Sequence, residues 1–201
     1  MVCFHIVDRP LGVSSCCRPR GLSLRLSRKS PGRPKIFLAP TGGGLAPKEQ
    51  AGGSLTIRPM REEDMDAVAA CEAASTASAW NRQNFADSLL GGHSCWVMQA
   101  ADASILGQAV LMGVVDEAHL LIISIHPDWR GHGLGRRLLE HMRWRAREMG
   151  AAHLFLEVRE SNQVARSLYD SQGFEQIGRR KAYYPAAEGL REDALVMRCA
   201  P

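Results

Sequence analysis

Residues 130–135 read Arg-Gly-His-Gly-Leu-Gly, and two more arginines, Arg136 and Arg137, stand at the head of an apolar pattern with helical spacing. The stretch directly before them, "EAHLLIISI" (117–125), is nearly all apolar. A strand that feeds a glycine-rich turn and then a helix N-terminus is an anion site, because the first backbone N–H groups of the helix lack partners and its dipole favours negative charge. Gly131, Gly133 and Gly135 remove the Cβ atoms that would keep a phosphate at a distance, and glycine reaches the positive φ values that a nest of amides requires. Arg130 and Arg136 add positive charge beside it. A P-loop would need Lys-Ser/Thr after the glycines, and none follows. The dinucleotide fingerprint would need Gly or Ala at position 136 or 138, where Arg136 and Leu138 stand. The pattern that remains is Arg-x-x-Gly-x-Gly. Its plain structural alternative is a tight turn dressed with surface arginines.

The elements that must hold this loop follow from periodicity. Residues 55–60 read as a short strand, 61–75 as an amphipathic helix with acids in its first turn, and 80–90 as a second helix ended by Gly91-Gly92. Strands are expected over 93–100 and 103–116, joined by a turn near Ala101-Asp102. The run 117–125 reads as a strand buried on both faces. After the glycine loop comes a helix from about Gly135 to Met149, stopped by Gly150. A strand over 152–158, a helix over 162–172 and a closing strand pair complete the order β-α-α-β-β-β-α-β-α-β-β. The fold class is α/β of the mixed kind, a central mixed sheet with helices on both faces.

Arg130–Gly135, set between a strand and a helix, resembles the Gcn5-related N-acetyltransferases. That resemblance implies the acyl-CoA N-acyltransferase fold, in which the sheet splays after the strand preceding the loop. Acetyl-CoA is then the co-substrate, with its pyrophosphate on residues 130–136, His132 and Leu134 included, and its pantetheine on the backbone of Ile123, Ser124 and Ile125. Asn162 both caps the next helix and reaches the cofactor. Within the superfamily, "FLEVRESNQVARSLYDSQGF" (155–174) and "RRKAYYPAAEGLREDALVM" (179–197) look most like the ribosomal-protein-alanine acetyltransferases. By that likeness, which runs from about Leu55 to Met197, Glu157 is the general base and Tyr169 the general acid. Trp80, Tyr183 and Tyr184 form the substrate groove, and the partner is the N-terminus of a small-subunit ribosomal protein. Ala182 is an extra residue relative to that pattern and "PAAEGLRED" is slightly long, both on the peptide side. From pattern alone, Glu157 also reads as a strand residue paired with Arg159, and Tyr169 as a packing residue. Glu160 and Glu192 are candidates for recognising a basic residue after the alanine.

The chemistry suits such residues. An α-amine with a pKa of ~8 is about one-tenth neutral at pH 7, against about one in 2,500 for a lysine at ~10.4, so one carboxylate is an adequate base. A phenol with an ordinary pKa of ~10 is protonated at pH 7 and can donate to a departing thiolate. No covalent intermediate is needed. His126, His132 and His141 lack metal-ligand spacing, so no metal is expected. Two rivals stay open: acetylation of another amine, whether a different protein N-terminus or a small molecule, and a non-catalytic acetyl-CoA-binding module.

Composition bounds the rest. Residues 1–53 carry nine basic and two acidic residues, a net of +7, whereas residues 54–201 carry 16 basic and 19 acidic, a net of −3. The positive charge thus belongs to a Pro/Gly/Ser/Arg-rich leader, expected to be disordered and outside the resemblance, an early-called start or a transit-like segment. It gives no reason to expect direct nucleic-acid binding by the acetyltransferase domain, 54–201. No apolar run reaches the ~18 residues of a membrane span. The six cysteines (Cys3, Cys16, Cys17, Cys71, Cys95 and Cys199) show no paired or ligand spacing, so reduced thiols and a cytoplasmic location are expected.

Overall fold

The computed structural model describes residues 55–76, 78–186 and 189–201. The leader expected over 1–53, with Cys3, Cys16 and Cys17, lies outside the described residues. The elements follow the expected order: β1 (Thr56–Pro59), α1 (Met65–Ser75), α2 (Arg82–Leu90), β2 (Ser94–Gln99), β3 (Ile105–Val114), β4 (Glu117–Ile125), α3 (Leu134–Glu148), β5 (His153–Arg159), α4 (Gln163–Ser171), β6 (Glu175–Pro185) and β7 (Arg191–Cys199). Local chemistry sets their ends. Asn81 and Asn84 cap α2 reciprocally, each side-chain oxygen accepting from the other's backbone N–H at 3.0 and 2.9 Å. Asn162 accepts from the Ala165 N–H at 3.1 Å and starts α4. Gly150, at φ 79°, ends α3.

The seven strands form one sheet in the order β1-β2-β3-β4-β5-β7-β6. Only β4 and β5 run parallel, as befits two strands joined through a crossover helix. One side of the sheet packs Leu138, Leu139 and Met142 of α3 with Leu154, Leu156 and Tyr169. A second cluster, Val68 of α1 and Phe85 of α2 with Val97 and Val110, covers the other side.

The β4–β5 junction positions everything that follows. Pairing runs only from Glu117↔His153 to Leu120↔Leu156. On the β3 side, Leu111 faces Leu120 and Val110 faces Ile122, so Leu121 is an extra residue, a bulge. A bulge bends its strand and increases the local twist. Beyond it, β4 keeps its β3 partners and has no strand on its other edge among the described residues. The expectation of burial on both faces is therefore corrected: in β4 only Ala118 and Leu120 are buried, and residues 121–125 are half-buried because one flank opens on a groove.

The expected helix over 61–75 is also divided, a 3₁₀ turn at Glu62–Asp64 preceding α1. Asp64 is the reason. Its carboxylate takes two bonds from the Arg58 guanidinium, both 2.7 Å, and one from the Arg61 N–H at 2.8 Å, tying β1 to the start of α1. The Arg58 bonds hold its carboxyl below the usual carboxylate range. Asp64→Asn is expected to cost about 2 kcal/mol of unfolding free energy at pH 7, the scale of hydrogen bonds to a charged group. A depressed native pKa stabilises the fold above the ordinary carboxylate pKa of about 3.9 and ceases to do so as pH falls through the native value. Urea melts of the two proteins should therefore differ at pH 7 and converge in acid.

Candidate active site

The groove between the diverging ends of β4 and β5 encloses about 700 Å³. That lies within the range of pre-formed ligand sites. Its floor is the run Leu120–Ile125, and the facing wall is Leu156–Arg159. The glycine loop and the first turn of α3 close one end; α4 contributes Asn162 and Tyr169. On the other side stand Glu72 of α1, Trp80 just before α2, and Tyr184 of β6.

At the loop end, Gly131 and Gly133 have φ of 80° and 75°. A Cβ built on either meets no atom within 4 Å, so the space in front of them is open and the backbone conformation is one that only glycine adopts without strain. Gly135 differs, since a Cβ there would make ordinary contacts of 3.6 and 3.8 Å with Leu168 and Ile125. Gly133 is the N-cap of α3 and offers no side chain to the first turn, which leaves the N–H groups of this 15-residue helix directed at the groove. Arg130 binds backbone carbonyls, Nε to Ile125 at 3.1 Å and Nη2 to Ser75 at 2.9 Å, and so fastens the loop to β4 and α1. Arg136 donates to the Ser171 hydroxyl at 3.0 Å.

At the other end, Glu157 is held from β6. Its carboxylate pairs with Arg180 Nε at 2.6 Å and accepts from the Tyr183 hydroxyl. The alternative pairing of Glu157 with Arg159 does not occur. Arg159 stacks over the Tyr184 ring at 4.4 Å and reaches Glu192 at 3.4 Å and Ser78 Oγ at 3.0 Å. Tyr169 is 7% exposed, and burial, with a smaller effect from Tyr184, pushes its phenol well above the ordinary range. It therefore keeps its proton through neutral pH. Burial and the charge of Glu157 push Tyr184 up to about 12. A groove with amide donors at one end and a carboxylate and a protonated phenol at the other can hold a diphosphate and move protons about a reacting bond.

The model of the Acetyltransferase (GNAT) family matches residues 58–174. The chain belongs to that family. It is 37% identical over 142 residues to the [ribosomal protein bS18]-alanine N-acetyltransferase of Escherichia coli K12, spanning 71% of this chain and 95% of that one. The Haemophilus influenzae protein of the same name is 46% identical over 95 residues, 47% of this chain and 64% of that one. The crystal structure of the E. coli enzyme superposes with a TM-score of 0.68 at 35% identity, covering 73% of this chain and 94% of that one. Salmonella typhimurium yncA, solved with its cofactor acetyl-CoA, shares the fold at a TM-score of 0.61 and 22% identity, covering 73% and 93%.

The GNAT family uses acetyl-CoA, and the cradle fits that molecule: two glycines with open space before them, an uncapped helix N-terminus, and an unpaired strand edge running away from it. Of the residues singled out in the sequence, Ile123, Ser124, Ile125, Arg130, Gly131, Gly133, Leu134, Gly135, Arg136, Asn162, Glu157, Tyr169, Trp80 and Tyr184 line the groove. His132 and Tyr183 do not. The His132 ring turns back onto the Arg130 carbonyl at 2.9 Å, and Tyr183 stands behind Glu157 as its hydrogen-bond donor. Glu160 and Glu192 are already paired, with Arg179 and Arg159, so neither is a free acid awaiting a basic substrate residue. The extra residue Ala182 is absorbed in a bulge of β6, where four steps from Arg180 to Tyr184 oppose two from Ala194 to Glu192. Its φ of 49° is braced by Asp193, which accepts from the Ala182 N–H at 2.7 Å, and by Arg191, which donates to its carbonyl at 2.6 Å.

Glu72 escaped the reading of the sequence. A signal was present: with Met65 and Val68 it continues the i, i+3, i+7 stripe that α1 buries. Gly133→Ala is expected to weaken acetyl-CoA binding by about tenfold, as a β-carbon strains the left-handed turn by about 1–2 kcal/mol and disorders the amides. Calorimetric titration against the parent checks this.

Proposed function

We propose that this protein is a cytoplasmic N-terminal acetyltransferase that moves the acetyl group of acetyl-CoA directly to the α-amine of the N-terminal alanine of a small-subunit ribosomal protein. The observation that carries the reading is the lining of one groove by Glu157 and Tyr169 together with the glycine loop. The E. coli relative, 37% identical across 95% of its length, supports the choice of acceptor. Among the described residues no helix is long and apolar enough to cross a membrane.

In this reading the loop amides and the N-terminus of α3 hold the diphosphate, and the free edge of β4 holds the arm that carries the thioester. Acetyl-CoA supplies the activated acyl group. Arg180 and Tyr183 orient Glu157, which takes a proton from the incoming ammonium, directly or through one water. The amine nitrogen then bonds to the acyl carbon and the carbon–sulfur bond breaks. Tyr169 gives its proton to the departing thiolate and recovers one from the amide nitrogen through water, so that one proton is released per turnover. Trp80, packed against Phe85 at 5.4 Å between ring centroids, and Tyr184 stand on the acceptor side of the groove. The deprotonation cost of ~1.4 kcal/mol for an α-amine at pH 7, against ~4.6 for a lysine, matches a site with a single carboxylate base.

Glu157→Gln is expected to lower coenzyme A release about 10²-fold or more with an alanine-initiated peptide, the scale of a lost general base, and Tyr169→Phe about tenfold to 10²-fold. An unchanged rate in either variant refutes its assigned role. Because its native pKa is raised, Tyr169 stays a donor well into alkali: kcat/KM should rise through about pH 7–8 with the neutral amine and show no decline below about pH 10. A peptide beginning Ala-Arg, turned over faster than polyamines or aminoglycosides, supports the acceptor. Equal or better turnover of a small amine moves the reading to a small-molecule acetyltransferase.

A further inference from the structure

Glu72 is a carboxyl 2% exposed, set in a stripe of α1 that is otherwise filled by Met65, Val68 and Cys71. Burial pushes its pKa up, against the bonds it accepts. Ser124 Oγ donates to Glu72 Oε2 at 2.5 Å and Gln108 Nε2 donates to the same atom at 2.7 Å. Gln108 is wholly buried, and its Oε1 has no partner among the described residues. A buried polar trio is a costly way to fill a core, since apolar residues of similar volume commonly serve stability as well or better. Packing does not account for it.

Its placement does. Ser124 lies beyond the Leu121 bulge, on the stretch of β4 whose outer edge is unpaired. This stretch is fastened from the α1 side by Glu72, which takes Ser124; beside it Ser75 Oγ, which donates to the Cys71 carbonyl at 2.8 Å, stands 3.3 Å from the Ile125 carbonyl oxygen. From behind, Gly107 lets β3 press close, for a Cβ there would stand 2.6 Å from both the Ser124 carbonyl oxygen and Ile125 Cδ1. An exposed strand edge receives an extended amide-bearing chain as an added strand, and such bonds weaken steeply with misalignment. The arm of acetyl-CoA is such a chain, running from the diphosphate at α3 to the thioester.

We propose that Glu72 is a positioning residue for that arm: its carboxyl, through Ser124, sets the line of the free β4 edge on which the thioester is presented. The inference rests on the acetyl-CoA part of the proposed function and is independent of the acceptor. It requires an acceptor oxygen at position 72, not a charge. A glutamine there, with its amide oxygen in the place of Oε2, keeps the acceptor for both the Ser124 hydroxyl and the Gln108 amide.

The test is calorimetric titration of the full chain with two probes. One is acetyl-CoA; the other is 3′-phosphoadenosine 5′-diphosphate, which carries the diphosphate and lacks the arm. Glu72→Ala and Ser124→Ala should each weaken acetyl-CoA about tenfold, the loss of one or two hydrogen bonds, and change the second probe less than about twofold. The double variant should be no weaker than the poorer single one, as two ends of one interaction require. Glu72→Gln should bind both probes within about threefold of the parent. Equal loss of both probes, no loss of acetyl-CoA, or a Glu72→Gln as weak as Glu72→Ala each overturns the proposal. Should Glu72→Ala fail to fold, Ser124→Ala carries the comparison. Failure to acetylate an alanine peptide would remove the acceptor assignment and leave these titrations readable.

Discussion

The structure turns on where β4 parts from β5. Four residue pairs join them, ending at Leu120↔Leu156, and the bulge at Leu121 bends β4 away. Had the ladder continued, residues 121–125 would have spent their outer hydrogen-bonding groups on β5 and no groove would exist. Because it stops, an apolar strand acquires a free edge, and that edge leads to an uncapped helix N-terminus. The apolar character of the run and its half-buried state both suit a strand edge that a ligand could cover. The sheet remains continuous because β3 holds the inner edge of β4 and β7 holds the far edge of β5.

Around this parting the polar residues divide their tasks. Arg130, which reads as a phosphate ligand in the sequence, spends its guanidinium on the carbonyls of Ile125 and Ser75, so it shapes the loop while the amides face the groove. Arg180 and Tyr183 do the same for Glu157. Arg159 bridges β5 to the β6–β7 hairpin and to Ser78 in the segment after α1, linking two sides of the groove at this end. In each case a long side chain fixes the geometry of a neighbouring group, and the loop and Glu157 are left facing the groove.

Much of this was legible in the residues. Strand, glycine loop and helix announce themselves through period and through three glycines in six positions, and the element order follows. The bulge was not legible, because Leu120, Leu121 and Ile122 are alike in hydrophobicity and a one-residue slip leaves no mark in a uniformly apolar run. Partners across long separations were equally hidden: nothing near Glu157 in the sequence points to Arg180 over Arg159. Glu72 was overlooked because a glutamate in a helix reads as a solvated residue, although its spacing from Met65 and Val68 put it on the buried stripe. The left-handed Ala182 shows how the longer β6 arm fits, with Asp193 and Arg191 bracing a conformation that alanine adopts reluctantly.

The short parallel ladder has a mechanical meaning. The β4–β5 ladder has four residue pairs, as does β1–β2 at the edge of the sheet, whereas the other ladders have six to eight. Inside the sheet, resistance to flexing across the strands is therefore lowest between β4 and β5, where the fewest bonds would be strained. A long molecule laid along the gap would bridge the two strands where their own hydrogen bonds stop.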